Sequence, residues 1–429
     1  MLVPIDLEEN TKITGKTKID GLYEGIKTNK IVGDRKVLVK VDCYIEERDE
    51  REACNLVKLE KYPNVVTYKH SGFFENNQIH NGEICIYAVM RHYEDKTLND
   101  VDFSTLSEEN VKDILTQLTE GLGDIHKEKI IHRDLRPENV FYEEDNGKIT
   151  VVIYGFGLSK EILHAPLQNS SYPNKKTTDY SSPEMQPDSK LNVTESTDVF
   201  SLGGIFYFIL SKGKHAFGDK ADSRSHNIMK NRPNLTKLKC SEAEIAENLI
   251  QRMINNKAVN RPALEEVKNH PFFWSNTDRL NFCTMLYRAT EEWNFKRGLK
   301  GDLNLINPMT GAKRRDYKMN DSKNNWCERL QLSTNECQLY DIPKNQAGCI
   351  KNLLNQSEVK YNGNSTYSLL CFIRHRKSHS DDEFVKKISL NDKYLWDFFK
   401  GRFPKFLSIL TVTVRESKDK GLAELKYFY

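Results

Sequence analysis

The chain has 429 residues, of which 38% are hydrophobic and 29% charged, and its formal net charge is +3. This length predicts two or more domains, and the composition excludes a disordered or collagen-like chain. No apolar run approaches the roughly 20 residues that cross a bilayer, and we expect no secretory signal at the N-terminus. The nine cysteines form no CxxC pair. That usage indicates free thiols in a reducing compartment, so we expect a cytoplasmic protein.

The charge is unevenly distributed along the chain. Residues 275–429 contain 27 Lys and Arg against 18 Asp and Glu, a net charge of +9, so the first 274 residues carry −6. Two differently solvated surfaces would explain this asymmetry. The alternative is a C-terminal part that meets a polyanion, because a cationic surface supplies the sequence-independent share of nucleic-acid affinity.

The N-terminal part predicts strands around one helix. "RKVLVKVDCYI" alternates and is rich in β-branched residues, which is typical of a strand. "ERDEREACNLVKLEKY" follows as an amphipathic helix. The residues near one face are Ala53, Leu56, Val57 and either Leu59 or Glu60. A second pair of strands is predicted around "GEICIYAVM". A helical region then begins at "SEENVKDILTQL", with Ser107 as the N-cap.

The segment "IHRDLRPENVFY" carries the motif with the most specific chemistry. His132, Arg133 and Asp134, followed by Asn139, match the catalytic loop of eukaryotic protein kinases. From this point the chain resembles the protein-kinase fold. The resemblance places Asp134 and Asn139 at a nucleotide-binding cleft.

Further kinase motifs occur in the expected order. Lys40 in "VLVK" matches the strand lysine that pairs with nucleotide phosphates, and Glu52 lies where its helix partner would stand. A structural ion pair that only fixes the helix is the alternative reading of these two residues. "TDVFSLGGIFYFIL" matches the buried-aspartate helix. The resemblance also implies that Arg261 in "VNRPALEEV" pairs with Glu184 in "SSPE".

Departures from the kinase pattern predict a pseudokinase. Gly155 in "VIYGFGLSKE" stands where kinases carry the aspartate that holds magnesium, and glycine offers no ligand oxygen from a side chain. The glycines of "ITGKTKIDGLYEG" lack the G-x-G-x-x-G spacing, and Arg136 replaces the usual lysine after "HRDL". We expect ATP or ADP to act as an allosteric ligand. A weak Ser/Thr kinase that modifies its own "LQNSSYPNKKTTDYSSPE" is the alternative.

The chain continues where a plain kinase domain would end. "DRLNFCTMLYRATEEW" predicts a helix with Leu280, Met285 and Leu286 near one side. "HPFFW" and this helix, with "YNGNSTYSLLCFIRHRKSH" and "FFKGRFPKFLSIL", resemble the kinase/endoribonuclease family of the inositol-requiring enzyme and ribonuclease L. The resemblance implies an α+β bilobal protein-kinase-like domain over residues 8–274 and an all-α endoribonuclease domain of the KEN type over residues 275–429.

The same resemblance implies which residues cleave RNA. Tyr361 falls on the family's active-site tyrosine, Arg374 on its arginine and His379 on its catalytic histidine. Histidine titrates near neutrality and serves as acid or base, and arginine recognises phosphate through a planar pair of donors. The implied roles are His379 as general acid, Tyr361 at the 2′-hydroxyl and Arg374 at the phosphate. No metal is needed for this chemistry.

His375 departs from the family, which has an asparagine there. Leu369, Leu370 and Ile373 provide residues for burial, which predicts a helix over this segment. Residues 375 and 379 are four apart and then share one face of that helix. His375 either restores a two-histidine acid/base pair or removes an amide that orients the phosphate. A metal site would need a third ligand, and the sequence offers none at matching spacing. An exposed basic helix that is only solvated is the remaining alternative.

The expected function is therefore a metal-independent endoribonuclease. Its substrate would be single-stranded or stem-loop RNA, since unstacked bases free the 2′-hydroxyl for in-line attack, and its products would carry a 2′,3′-cyclic phosphate. The resemblance implies control by a back-to-back homodimer of the pseudokinase part. The alternative is a catalytically inactive RNA-binding or dimer-partner scaffold. We expect no membrane partner for this chain.

Overall fold

The structure is a computed structural model that describes residues 5–7, 11–17, 22–27, 34–43, 48–75, 84–93, 96–161, 167–168, 179–186, 189, 191–292, 366–378, 392–403 and 406–416. The described strands are β1 (Ile5–Leu7), β2 (Thr11–Lys16), β3 (Leu22–Lys27), β4 (Arg35–Cys43), β5 (Tyr68–Glu75), β6 (Ile84–Arg91), β7 (Ile130–Ile131), β8 (Val140–Asp145), β9 (Lys148–Ile153), β10 (Lys160–Glu161), β11 (Leu167–Gln168) and β12 (Asn192–Val193). The described α-helices are α1 (Arg48–Leu59), α2 (Glu108–Lys127), α3 (Glu195–Leu210), α4 (Ala221–Met229), α5 (Ala243–Met253), α6 (Leu264–Lys268), α7 (Asn276–Glu292), α8 (Thr366–Ser378), α9 (Asp392–Arg402) and α10 (Phe406–Glu416).

The chain divides into two compact units. Unit 1 comprises Met1–Ser241 and Leu249–Lys268, and unit 2 comprises Glu242–Asn248 and Asn269–Tyr429. The boundary between residues 274 and 275 that the sequence suggested stays a prediction. Among the described residues, no helix is both long and apolar enough to span a membrane.

Unit 1 begins with a six-stranded antiparallel sheet in the order β1-β2-β3-β4-β6-β5. Val37, Val39 and Val41 alternate along β4, so all three point to one face and are at most 4% exposed. They pack with Tyr87 and Val89 of β6 in the core of this sheet. The predicted strands over "RKVLVKVDC" and "ICIYAVM" are therefore confirmed.

Helix α1 confirms the predicted amphipathic helix, with one residue on the wrong face. Leu56 and Leu59 are buried, whereas Val57 is 51% exposed. Leu56 and Leu59 are three residues apart and share a face, while Val57 is rotated by about 100° from Leu56. Asn55 is also buried, and its side-chain amide donates to the Ser159 hydroxyl at 3.0 Å.

Helices α2 and α3 form the interior of the helical part of unit 1. Ser107 caps α2 as predicted, since its hydroxyl accepts from the backbone N–H of Asn110 at 3.1 Å. Leu115, Leu118 and Leu122 place an apolar stripe of α2 in the core. Helix α3 is buried on nearly all sides. The β8–β9 hairpin lies next to α2 and joins the two loops that border the cleft.

Unit 2 is helical in its described part. Leu280 and Leu286 of α7 are fully buried, whereas Met285 is half-buried, so the predicted apolar side is correct for two of its three residues. Arg279, only 2% exposed, forms a bidentate ion pair with Glu242. Burying a guanidinium is costly unless it is paired, so this pair fixes the start of α7.

Candidate functional site

The catalytic-loop sequence is held by a buried carboxylate from α3. Asp198 accepts the backbone N–H groups of His132 and Arg133, both at 2.8 Å. The imidazole of His126 donates to the same carboxylate at 2.9 Å. Burial opposes ionisation of Asp198, but the hydrogen bonds and nearby imidazoles outweigh it and hold its pKa below the usual range. These contacts fix the loop, where Arg133 adopts a left-handed φ of 69°.

The other side of the loop is shaped by His132 and Asn139. The His132 ring donates to the carbonyl of Tyr154 at 3.0 Å and lies 4.8 Å from the Phe156 ring. The Asn139 amide donates to the backbone oxygen of Asp134 at 2.7 Å and to its carboxylate at 2.9 Å. The structure therefore brings the predicted residues Asp134 and Asn139 together.

Gly155 lies directly against that amide. Its φ is +91°, and a Cβ at this position would stand 2.7 to 2.9 Å from the amide atoms of Asn139. Real Cβ atoms do not approach so closely, and the amide is fixed by its two hydrogen bonds to Asp134. The space that a side chain at 155 would need is thus occupied by Asn139.

These residues do not fit the magnesium ions of kinase chemistry. Protein kinases hold them with the aspartate at the position of Gly155 and the asparagine at the position of Asn139. Here the first position has no side-chain oxygen, and the second residue packs its amide against it. Magnesium prefers an octahedron of oxygen ligands, and this donor set does not supply one.

The structure describes Lys40 more fully than Glu52. Lys40 lies in β4, opposite Leu22 of β3 and Ala88 of β6, and is half-buried. Glu52 lies within α1, but its side chain is outside the described residues. The predicted pair between them therefore stays a prediction.

Glu184 and Arg261 form the pair that the resemblance implied. The guanidinium of Arg261 donates to the two carboxylate oxygens of Glu184 at 2.5 and 2.9 Å, and both side chains are at most 1% exposed. Burial raises the pKa of Glu184, but hydrogen bonding and charge from Arg261 reverse this and leave the pKa below its usual value. Thr197 donates to the same carboxylate at 2.9 Å. The prediction is confirmed.

In unit 2 the predicted helix over "TYSLLCFIRHRKS" is confirmed as α8. Leu369, Leu370 and Ile373 are buried, at most 1% exposed. Arg374 is half-buried, and its guanidinium lies over the Tyr287 ring with 5.0 Å between Cζ and the ring centroid. His375 lies in α8, but its side chain is outside the described residues.

Two of the implied catalytic residues, Tyr361 and His379, also lie outside the described residues. Sequence reasoning missed two side chains of the described part. His126 could have been found from its position six residues before His132 in "GDIHKEKIIHRD". Tyr287 carried no local signal, because its contact with Arg374 joins residues 87 apart in the sequence.

Family models match both parts of the chain. The protein kinase domain matches residues 15–273, and the ribonuclease 2-5A domain matches residues 312–428. The second match contains Tyr361, Arg374, His375 and His379.

Two of three similar proteins are named as both a kinase and an endoribonuclease. The chain is 32% identical over 240 residues to the serine/threonine-protein kinase/endoribonuclease ire-1 of Caenorhabditis elegans, covering 54% of this chain and 24% of the relative. It is 28% identical over 369 residues to the serine/threonine-protein kinase/endoribonuclease IRE2 of Homo sapiens, covering 83% and 36%. The sensor for unfolded proteins in the ER ire1 of Schizosaccharomyces pombe is 27% identical over 288 residues, covering 61% and 26%.

This chain therefore spans about a quarter to a third of the length of these relatives. The kinase-domain match covers more than half of the chain and is followed by the ribonuclease-domain match. Together with the buried Asp198 and the Glu184–Arg261 pair, these matches show that the chain belongs to the kinase/endoribonuclease family.

Proposed function

We propose that the chain is an endoribonuclease that cleaves single-stranded or stem-loop RNA without a metal ion. The observation that carries the proposal is the ribonuclease 2-5A match, which includes Tyr361, Arg374 and His379. The net charge of +9 over residues 275–429 supports an RNA substrate, because cationic surfaces attract phosphate backbones. Free cysteines at the described positions support a cytoplasmic location.

The proposed reaction is an internal phosphoryl transfer. The ribose 2′-oxygen attacks its own phosphorus, the 2′-proton leaves towards a base, and the bond from phosphorus to the 5′-oxygen breaks. His379 donates a proton to that leaving oxygen, Tyr361 assists at the 2′-hydroxyl, and Arg374 stabilises the charge on the phosphorus oxygens. The products carry a 2′,3′-cyclic phosphate and a free 5′-hydroxyl.

His375 takes one of two roles in this scheme, and the His375→Asn variant separates them. If the native histidine completes an acid/base pair, the variant cleaves more slowly and its pH–rate profile loses one titration step. A sharp increase in cleavage would show instead that the native histidine weakens the site.

The kinase-like cleft is proposed to regulate rather than to transfer phosphate. Gly155 and the position of Asn139 argue against magnesium-dependent transfer. The kinase-domain match supports nucleotide binding, and we propose ATP or ADP as an allosteric ligand. Binding would favour a back-to-back homodimer that brings two ribonuclease domains onto one RNA. Sedimentation with and without nucleotide tests this step.

The deciding experiment incubates the purified chain with a 5′-labelled stem-loop RNA in EDTA. We expect cleavage that leaves a cyclic phosphate and that fails when the attacking 2′-hydroxyl is replaced by hydrogen. His379→Ala should lower the rate by about 10²- to 10⁴-fold, the range of general acid–base catalysis. His226→Ala, at an exposed position of α4, is the matched control and should cleave normally.

Two other outcomes identify the alternatives. RNA binding without cleavage would indicate a scaffold that pairs with an active relative. Transfer of labelled phosphate from ATP with magnesium would overturn the pseudokinase interpretation. Cleavage that is equal in His379→Ala and in the unsubstituted chain would overturn the assigned site.

A further inference from the structure

Three side chains of unit 2 form a stack that ends at Arg374. The rings of Tyr287 on α7 and Tyr367 on α8 are stacked, with centroids 6.4 Å apart and an angle of 17° between their planes. Arg374 lies over the same Tyr287 ring at 5.0 Å. Tyr367 and Arg374 are seven residues apart, two helical turns, so they lie on one face of α8. Tyr287 therefore contacts both ends of this face.

The stack orients the guanidinium without neutralising it. The Nε atom of Arg374 is buried and has no hydrogen-bond acceptor among the described residues. A carboxylate partner would also orient the group, but it would occupy the N–H donors that a phosphate needs. Contact with an aromatic ring uses none of the N–H donors, so the two Nη groups remain available as donors to a phosphate.

The Tyr287 ring lies beside buried residues of unit 2. Tyr367 is buried at 9% exposure, and Leu286, the neighbour of Tyr287 in α7, is fully buried. Tyr287 is half-buried, between the core of unit 2 and its surface. An arginine held by such a ring loses less rotamer freedom on binding phosphate than a free arginine does, because part of its order already exists.

We propose that Tyr287 is a positioning residue for RNA cleavage: its ring lies against the Arg374 guanidinium and orients it, so that the Nη–H groups meet the scissile phosphate. The inference rests on the proposed function, since that function assigns the phosphate to Arg374. It adds to the site a residue that lies before the ribonuclease 2-5A match begins at residue 312.

Kinetics of three variants test the proposal. Tyr287→Leu should lower kcat/KM about fivefold to tenfold, the size of a partly buried cation–π contact. The larger part of this fall in kcat/KM should come from kcat, because the phosphorane carries more charge than the bound substrate. Tyr287→Phe keeps the ring and should stay within about twofold. Met285→Leu, a volume-conserving change at a half-buried residue of the same helix, is the control and should match the unsubstituted chain.

A double-variant cycle separates positioning from general stability. Lysine has no flat face to hold, so Tyr287→Leu should cost less than about twofold when added to Arg374→Lys. Independent multiplication of the two losses would overturn the proposal, as would full activity of Tyr287→Leu. Thermal unfolding of each variant shows whether a loss of activity reflects a loss of folded protein.

Binding of a stem-loop with a 2′-deoxy nucleotide at the cleavage position gives a second readout. Fluorescence anisotropy should show about twofold to threefold weaker binding for Tyr287→Leu and none of this loss for Tyr287→Phe. If the unsubstituted chain binds this RNA but does not cleave the all-ribose form, the proposed function fails, and this comparison alone decides the role of Tyr287. Equal affinities of all three proteins would overturn that role.

Discussion

Two sets of residues border the loop of His132, Arg133 and Asp134. One is Asp198, which accepts two backbone N–H groups of the loop and the imidazole of His126. The other is the pair of Asn139 and Gly155, where kinases hold metal ions. Asp198 has the hydrogen bonds that fix the loop, whereas the pair of Asn139 and Gly155 has no acidic ligand for a metal ion.

The difference separates the folding role of these residues from their chemical role. A buried carboxylate without partners costs several kcal/mol, so Asp198 and its donors depend on one another whatever the cleft does. A missing metal ligand at a loop carries no such folding cost, and at Gly155 the neighbouring amide already fills the space. The hydrogen bonds of Asp198 therefore reflect the requirements of folding, and the residues of the cleft reflect its chemistry.

The largest expected effect is on the buried pair of Glu184 and Arg261. Arg261→Met should lower the free energy of unfolding of unit 1 by about 3–5 kcal/mol, because it leaves a buried carboxylate without its cation. Arg252→Met is the control: its ion pair with Glu266 is partly exposed and should be worth less than about 1 kcal/mol.

The measurement must report on unit 1 alone. All four tryptophans lie at residue 274 or beyond, so amide hydrogen exchange of α3 is the suitable probe rather than fluorescence. Glu184→Leu combined with Arg261→Met should recover part of the loss, since both charges are then gone. Equal losses for the Arg252 and Arg261 variants would contradict this account of the buried pair.

Several features of the fold could be predicted from the sequence because local chemistry determines them. Ser107 before two glutamates specifies an N-cap, and Leu369, Leu370 and Ile373 specify the buried face of α8. The ion pair of Glu184 and Arg261 could be predicted from the motif resemblance. These signals act within a few residues or within a known motif.

Other features depend on contacts that no local pattern encodes. Asn55 is buried and bonded to Ser159, 104 residues away, whereas Val57 is exposed. The packing of Asn139 against Gly155 depends on a backbone φ and on a side-chain rotamer. The roles of Tyr361, His379 and Glu52 stay predictions, because their side chains lie outside the described residues.

His215 gives a smaller effect that depends on pH. Burial, with a contribution from the charge of Arg224, lowers its pKa from 6.5 to about 4. The folded state thus favours the neutral ring, so its contribution is complete above pH 6.5 and is lost as the pH falls towards 4. The stability of unit 1 should fall by up to about 3 kcal/mol over this window.

His215→Asn is the matched control for that titration. The histidine Nδ1 accepts the backbone N–H of Phe217 at 3.1 Å, and an asparagine oxygen can accept the same bond two residues on. The variant should show a flat stability profile between pH 6.5 and 5. If His215→Asn keeps the full loss of stability with falling pH, groups other than His215 titrate in this window. The His215 ring, whose centroid lies 4.8 Å from that of Tyr180, would then contribute packing only.

The smallest expected difference in stability lies between two glycine variants, and it bears most directly on the two sets of residues around the loop. Gly147 and Gly155 both have positive φ values, +78° and +91°, but a Cβ at 147 would meet nothing within 4 Å, whereas one at 155 would meet Asn139. Gly147→Ala should therefore cost only the backbone strain of the left-handed conformation, about 1–2 kcal/mol. Gly155→Ala should cost about 2 kcal/mol more, the size of local overpacking.

Gly155→Asp should behave like Gly155→Ala, because the Cβ rather than the carboxylate meets the amide. It should also fail to gain phosphate transfer with magnesium and ATP. Adding Asn139→Ala removes the amide, so the extra cost of Gly155→Ala should disappear and leave a value near that of Gly147→Ala. If Gly155→Asp alone folds without loss of stability and transfers phosphate, the cleft lacks only the carboxylate ligand for magnesium. Two results together would show that the cleft is packed around the glycine: Gly155→Asp lowers the stability, and Asn139→Ala abolishes that loss.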